Sequence, residues 1–202
     1  MNPLIKLLNA AGQLVEFVLT GQSNFAITTS DFHKTDTINN SVQAKIALKE
    51  VRDLLLERFG IMVIAPVIIN LERPRTSKWK EALASNRRHL GNYATRQMGE
   101  NISHEIHLLP GLERRKFKAV LAHELTHAYQ AENNLLASHG GLREGMSRWV
   151  EYHTLLELGL RDEARKLCNY RSYILGRGIL RIIEHEKKHG RQATMNWLIR
   201  LG

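Results

Sequence analysis

The segment Ala122–Tyr129, AHELTHAY, constrains the fold of this chain more than any other part of its sequence. Its two histidines, His123 and His127, are four positions apart, so in an α-helix they lie on one face, a turn apart. Apolar residues at helical spacing form a second stripe on this helix, which we expect to be buried: Phe117, Leu121, Leu125 and Ala128. The segment therefore predicts a long helix over residues 113–133, with a buried stripe and two imidazoles on the roughly opposite face.

Two imidazoles stacked in this way can bind one metal ion through both rings. Glu124 lies about 100° round the helix from His123, so it can reach a water on the metal without being a ligand. The H-E-x-x-H spacing is typical of zinc peptidases, in which the metal polarises the scissile carbonyl and the glutamate takes a proton from the metal-bound water. The residues thus predict a catalytic site with one Zn²⁺ per chain, held by His123 and His127, with Glu124 as the base.

Such a site needs a third protein ligand and leaves the fourth position to water. The downstream candidates are His139, Glu144, Glu151 and His153. Glu144 is preferred because the neighbouring Gly145 would let its helix approach the metal-binding helix closely. Glu151 lies two turns further along and could not bind the same ion together with Glu144. His139 is the second choice.

The string HELTH followed by REGMSRW resembles the gluzincin metallopeptidases, in which two histidines of one helix and a glutamate of a second helix bind zinc. Three longer strings in the C-terminal half are similar to the peptidase domain of the plant growth-regulating peptidases that carry LIM domains and respond to ubiquitin: EIHLLPGLERRKFKAVLAHELTHAYQ, LREGMSRWVEYHTLLELG and SYILGRGILRIIEHEKKHG. The resemblance implies His123, His127 and Glu144 as zinc ligands and Glu124 as the base. With a single cysteine, Cys168, the chain cannot build a LIM domain, so we expect a short, stand-alone version of the catalytic domain.

The expected fold is α+β and zincin-like, with a small mixed sheet, an active-site helix and a mostly helical C-terminal half in one domain, 1–202. Its three parts would be an N-terminal helix and irregular segment (1–40), the sheet and metal-binding helix (41–133), and a helical subdomain with the third ligand (134–202). The strand HEIHLL is expected at the edge of the cleft, where it could bind an extended substrate by strand addition, which predicts an endopeptidase. His104 and His107 of this strand would point to opposite faces and make poor co-ligands.

Other segments predict the remaining elements. A helix over 41–58, capped by Ser41, should end at Gly60, since glycine favours the left-handed conformation that ends helices. Its expected inner face consists of Val42, Ile46, Val51, Leu54 and Leu55. Further elements are predicted as follows: strands within 61–71 around Pro66 and at GNYATRQMG, a short helix over 77–84, and helices over 142–159, 161–169 and 178–201, the last broken at Gly190.

The net charge of +9 permits contact with anionic partners, but the basic residues are scattered along the chain. We therefore expect a protein or peptide substrate and no specific nucleic acid.

No apolar run approaches the roughly 20 residues of a membrane span, and no signal peptide is evident. Together with the single cysteine, which excludes an internal disulfide, this predicts a cytoplasmic location.

The sequence leaves two alternative functions open. HELTHAY also resembles the motif of the SprT or Spartan family of DNA-associated proteases, whose third ligand is a histidine before glycine, as in His139–Gly140. Those proteins usually add a cysteine zinc ribbon, which this chain cannot build. The other alternative is a non-catalytic, basic zinc-binding module, although a structural site has no use for a free carboxylate at Glu124. Candidates for stabilising the oxyanion, each expected to be structural instead, are Arg148, Tyr152, His153, Tyr170 and Tyr173.

Overall fold

Helices account for most of the described residues and accompany a small mixed sheet, as the α+β prediction requires. A computed structural model describes residues 37–72, 90–98, 101–168 and 175–201, all within one compact unit, Thr35–Gly202. In chain order the described elements are β1 (Thr37–Ile38), α1 (Ser41–Phe59), β2 (Val67–Leu71), β3 (Gly91–Met98), β4 (Asn101–Leu108), β5 (Leu112–Glu113), α2 (Arg114–Glu132), α3 (Gly140–Glu157), α4 (Arg161–Cys168), α5 (Leu175–His189) and α6 (Arg191–Arg200).

Helix α1 begins and ends through two local features of its sequence. The Asn40 side chain, rather than Ser41, caps the start by accepting a hydrogen bond from the backbone N–H of Gln43 at 3.0 Å. Gly60 ends the helix in the left-handed conformation, with φ of 66°, as predicted. The predicted inner face was partly wrong, since Val42 is 45% exposed. The buried positions instead include two alanines, which allow close packing: Ala44, Ala47, Val51, Leu55 and Phe59.

The main sheet has the strand order β2-β4-β3. Strand β4 is parallel to β2, with Ile69 opposite Ile106, and antiparallel to β3, with Tyr93 opposite Ile106. The prediction that HEIHLL is an edge strand was therefore wrong: this segment lies in β4, the central strand. The alternate residues His104, Ile106 and Leu108 are at most 1% exposed because this face of β4 is covered. Among the described strands, β3 lies on the outside of the sheet.

Helix α2 packs against the sheet, α1 and α3. Its predicted apolar stripe is confirmed, because Phe117, Leu121 and Leu125 have no exposed surface. The helix follows directly from β5, and the Glu113 side chain caps it by accepting a hydrogen bond from the Lys116 N–H at 3.1 Å. The long core helix thus carries the histidine face toward α3.

Helices α3 and α5 cross in very close contact through glycines. A Cβ atom added to Gly178 would lie 1.9 Å from the carbonyl oxygen of Gly141, and one added to Gly145 would lie 2.5 Å from the backbone of Gly178. The prediction for Gly145 was wrong in its partner: the glycine permits close approach to α5, not to the metal-binding helix. Because Gly145 follows Glu144, this crossing lies next to the third ligand candidate.

The remaining predictions for the C-terminal half are confirmed in outline. Helix α4 matches the predicted 161–169 segment, and α5 and α6 are separated at Gly190, whose φ is 82°. Residues 61–66 form no strand, and only Val67–Leu71 pairs in the sheet. The predicted N-terminal helix and the short helix over 77–84 lie outside the described residues. None of the described helices is both long and apolar enough to cross a bilayer.

Candidate metal centre

Helices α2 and α3 bring three of the predicted site residues together: His123, His127 and Glu144. The Nε2 atoms of His123 and His127 are 3.2 Å apart. The Oε2 atom of Glu144 is 3.8 Å from His123 Nε2 and 3.4 Å from His127 Nε2. The three side chains are 14–22% exposed, so the cluster opens to the surface. Within the described chain, no other group of three or more such side chains converges in this way.

The spacing of these three atoms fits a zinc ion. Tetrahedral ligands at bond lengths of about 2.0–2.1 Å are about 3.3 Å apart. The nearest point equidistant from the three observed atoms lies about 2.0 Å from each of them, which is the length of a zinc bond to imidazole or carboxylate. Two imidazoles and one carboxylate also form a common ligand set of catalytic zinc sites. The residues present could therefore hold the ion without rearrangement.

Outer partners orient both imidazoles so that their Nε2 lone pairs converge. The Nδ1 atom of His123 donates to Glu151 Oε2 at 3.0 Å. The Nδ1 atom of His127 donates to Gln130 Oε1 at 3.0 Å, and the Ser147 hydroxyl lies 3.2 Å from it. With the proton on Nδ1 in both rings, the two Nε2 atoms, 3.2 Å apart, are left to share either a proton or a metal ion.

An arginine performs the same task for the carboxylate. Arg148, one turn further along α3, donates from Nε to Glu144 Oε1 at 2.8 Å. The other oxygen, Oε2, is the one that faces the two histidines. Each of the three converging side chains therefore uses one polar atom to fix its orientation and presents the other to a common point, which is the usual construction of a metal site.

Glu124 is nearly buried, at 7% exposure, and its carboxylate forms no hydrogen bond to any other described residue. Its position depends on Gly91 of β3, where an added Cβ would lie 2.7 Å from Glu124 Oε1. Glu124 is thus held beside the cluster and remains free to bond with a water or substrate.

The titration behaviour of the cluster follows from its concentrated negative charge. Burial alone would lower the pKa of His123, but the hydrogen bond with Glu151 and the nearby carboxylates outweigh it and raise the pKa to about 9. For Glu144, burial alone would raise the pKa, but His127, His123 and Arg148 together lower it. Burial raises the pKa of Glu124. A site that holds a proton this firmly in the metal-free state also attracts a cation.

Three other predicted candidates lie elsewhere or take other roles. His139 is an exposed residue at the start of α3, its Nδ1 is 3.1 Å from the Ser138 hydroxyl, and it does not join the cluster. Glu151 binds His123 instead of joining the converging atoms. His153 faces α5 and bonds to Glu186 at 2.8 Å. His104 and His107 do not share a partner: His104 bonds to Glu132, and His107 to Glu72.

Of the oxyanion candidates, Arg148 is used by Glu144, and Tyr170 and Tyr173 lie outside the described residues. The aromatic side chain beside the cluster is one that the sequence did not suggest, Tyr93 of β3. Its ring stacks against His127 with centroids 6.1 Å apart and planes 26° apart. Its hydroxyl lies 3.0 Å from His104 Nδ1 and 2.6 Å from the Thr95 hydroxyl. The only available signal was alternation along β3, which places Gly91, Tyr93 and Thr95 on one face.

The chain was compared with protein-family models, with curated proteins and with solved structures, and no match was found in any of the three.

Proposed function

We propose that this protein is a zinc-dependent peptidase of the gluzincin type, with His123, His127 and Glu144 as the zinc ligands and Glu124 as the general base. One observation carries the proposal: three ligand atoms converge at zinc-bonding distance, while the neighbouring Glu124, 7% exposed, forms no hydrogen bond to any described residue. A structural zinc site is normally closed by four protein ligands, whereas a catalytic site leaves a position open. Within the described chain this site has three.

The proposed roles follow from where each side chain lies. Zinc, when bound, would polarise the scissile carbonyl and make a water molecule more acidic. Glu124 takes the proton of the attacking water and delivers it to the leaving amine, a task that suits a carboxylate whose pKa is raised by burial. Glu151 and Gln130 keep the ligand histidines in the tautomer that presents Nε2. Arg148 keeps Glu144 oriented toward the histidines.

The sheet supports a peptide substrate in extended form. Strand β3 is one of the two edge strands of the described sheet and runs beside the cluster, with Gly91 next to Glu124 and Tyr93 next to His127. An extended segment added along β3 would pair through main-chain hydrogen bonds, which depend little on side chains. This favours an endopeptidase acting on flexible segments, with β3 in the role first expected for HEIHLL. A small mixed sheet packed on the histidine helix is also what a zincin-like fold requires.

A chelation and reconstitution experiment tests the proposal. Purified protein is stripped with a chelator, and the release of fluorescent fragments from labelled, unfolded casein is followed before and after one equivalent of Zn²⁺ is added. We expect cleavage to disappear with the metal and to return with zinc. His123→Ala, which removes one ligand, should not recover. If the protein holds about one zinc per chain but leaves casein intact, a peptidase is excluded and a non-catalytic zinc module is favoured.

A further inference from the structure

Arg143, which precedes Glu144 on α3, is a cation whose side chain has no ion-pair partner among the described residues. Its Nε atom is inaccessible to solvent and has no hydrogen-bond partner. The side chain forms no ion pair with any other described residue. A guanidinium in a partly buried position normally finds an acceptor, so an orphan of this kind calls for an explanation.

Two other arginines show how unusual this is. The Arg148 side chain donates to Glu144 Oε1 at 2.8 Å and so has a carboxylate partner within the site. Arg52 also has a buried Nε without a partner. However, its Nη2 lies 3.5 Å from the Ala65 carbonyl oxygen, and the charge of Glu132 partly compensates its burial. Of these three guanidinium groups, Arg143 is the one whose partner is not supplied by the described protein.

The backbone of Arg143 is fixed relative to the cluster. Its carbonyl oxygen accepts a hydrogen bond from Gln130 Nε2 at 2.8 Å, and the same Gln130 side chain orients His127. Burial raises the pKa of Tyr93, and the hydrogen bond with Thr95 and the positive charge of Arg143 partly offset this rise. Tyr93 stacks on His127, and Arg143 directly precedes the candidate ligand Glu144 on α3, so Arg143 lies next to the candidate site.

We propose that Arg143 is a specificity-determining residue that binds a carboxylate of the peptide substrate beside the zinc site. The inference rests on the proposed peptidase function and deepens it. A planar guanidinium matches a carboxylate through two parallel N–H···O bonds, which a neutral amide cannot replace at equal strength.

The carboxylate has two sources in a peptide: an aspartate or glutamate side chain, or the C-terminus. A set of fluorescent peptides distinguishes them, with Glu or Gln at each position flanking the cut and with a free or amidated C-terminus. We expect zinc-loaded wild type to cleave the peptide with the recognised carboxylate about 10- to 100-fold more efficiently in kcat/KM than its neutral counterpart. A loss on Glu→Gln identifies the side chain, and a loss on amidation identifies the terminus.

Variants of Arg143 connect this preference to the residue. Arg143→Gln should abolish the preference by weakening cleavage of the carboxylate peptide only, and Arg143→Lys should keep part of it because the charge stays while the planar fork is lost. Arg165→Gln is a matched control, because Arg165 is exposed on α4 and pairs with Asp162. It removes the same charge and should leave the preference unchanged.

A binding measurement separates failure of this inference from failure of the proposed function. Zinc-loaded Glu124→Gln protein is titrated with the same peptides, and fluorescence anisotropy reports the affinity without cleavage. Carboxylate-dependent binding that disappears in the Glu124→Gln/Arg143→Gln double variant supports the inference even if no peptide is ever cut. Equal use of acidic and neutral peptides by wild type, or a preference that persists in Arg143→Gln, would overturn it.

Discussion

Helix α3 takes part in two clusters of histidine and carboxylate side chains, one on each of two faces, and they differ in how far the protein satisfies them. Toward α2 lies the metal-centre cluster, formed by His123, His127 and Glu144. Toward α5 and α6 lies the internal cluster, formed by His153, Glu186, Arg191 and Trp149. Both combine imidazole with carboxylate, and both are largely buried.

Every polar atom that points into the internal cluster has a partner there. Glu186 Oε2 accepts from Trp149 Nε1 and from His153 Nε2, each at 2.8 Å, and Oε1 accepts from Arg191 Nε at 3.3 Å. His153 Nδ1 accepts from Arg191 Nη2 at 2.9 Å. In the metal-centre cluster, by contrast, two Nε2 atoms and one Oε2 atom converge without enough donors among them.

Residue type alone therefore does not identify a binding site. A buried polar network whose atoms are all paired stabilises and positions its helices, whereas acceptors that converge with too few donors can bind a cation. In the proposed function, zinc would supply the missing positive charge in the metal-centre cluster. The predictions below test this contrast.

The largest effect is expected from Glu124→Gln, which keeps the shape of the side chain but removes the basic carboxylate. Loss of a general base alone costs about 10²- to 10⁴-fold, so cleavage of labelled casein should fall at least that far. Zinc affinity, measured by competitive titration, should stay near the wild-type value because Glu124 is not a ligand. Cleavage by the variant at a rate close to wild type would remove Glu124 from the mechanism.

A matched pair of glutamate-to-glutamine changes compares the clusters directly. Glu151→Gln weakens the hydrogen bond that orients His123, so zinc affinity should fall by about 10- to 100-fold. Glu186→Gln weakens the internal cluster, so the free energy of unfolding should fall by about 1–3 kcal/mol while zinc affinity is unchanged. Titration and chemical denaturation measure the two quantities. If both variants lower zinc affinity only, or both lower the free energy of unfolding only, the two clusters do not differ in the way described here.

The glycine contact between α3 and α5 affects both clusters. Gly178→Ala would place a methyl group 1.9 Å from the Gly141 carbonyl oxygen, so the helices must separate. Overpacking of this kind costs about 1–3 kcal/mol, and we expect a lower melting temperature together with weaker zinc binding. Gly140→Ala is the control, since a Cβ there meets nothing within 4 Å. An unchanged melting temperature in Gly178→Ala would show that the crossing is not close packed.

The smallest effect is a difference in pH dependence between the clusters. Burial alone would raise the pKa of Glu186, but His153, Trp149 and Arg191 lower it from 4.5 to about 2. Because the folded pKa lies below the unfolded one, this stabilisation is present above pH 4.5 and is lost as pH falls through 2.

In metal-free protein, His123 behaves oppositely. Its pKa is raised from 6.5 to about 9, so its stabilisation is present below pH 6.5 and is lost as pH rises through 9. In unfolding curves measured across pH, Glu186→Gln should therefore remove the loss of stability at low pH. His123→Gln should remove the loss of stability at high pH. Identical pH profiles for wild type and both variants would contradict the assigned networks.

Local sequence signals predicted the parts of the fold that depend on neighbouring residues. The stripe of α2, the left-handed end of α1 at Gly60 and the break at Gly190 follow from spacing and glycine chemistry within a few positions. The edge position assigned to HEIHLL was wrong because strand order depends on pairing with β2 and β3, which lie far away along the chain.

The same limit applies to the candidate site. The histidine spacing placed His123, Glu124 and His127 correctly on one helix, since i to i+4 geometry is local. Gly91 and Tyr93 were missed because β3 meets α2 only through the tertiary fold, and a lone glycine or tyrosine in a strand carries no signal of its own. Glu151 was considered only as a ligand, whereas its role as the partner of His123 depends on how α3 packs.

The most direct test of the central claim is a competitive zinc titration of three proteins: wild type, Glu144→Gln and His139→Ala. We predict about one tightly bound zinc per chain in wild type, the same affinity in His139→Ala, and a clearly weaker site in Glu144→Gln, which loses a charged ligand. A wild-type protein that binds no zinc, or a His139→Ala variant that loses the metal while Glu144→Gln keeps it, would contradict the assignment of His123, His127 and Glu144.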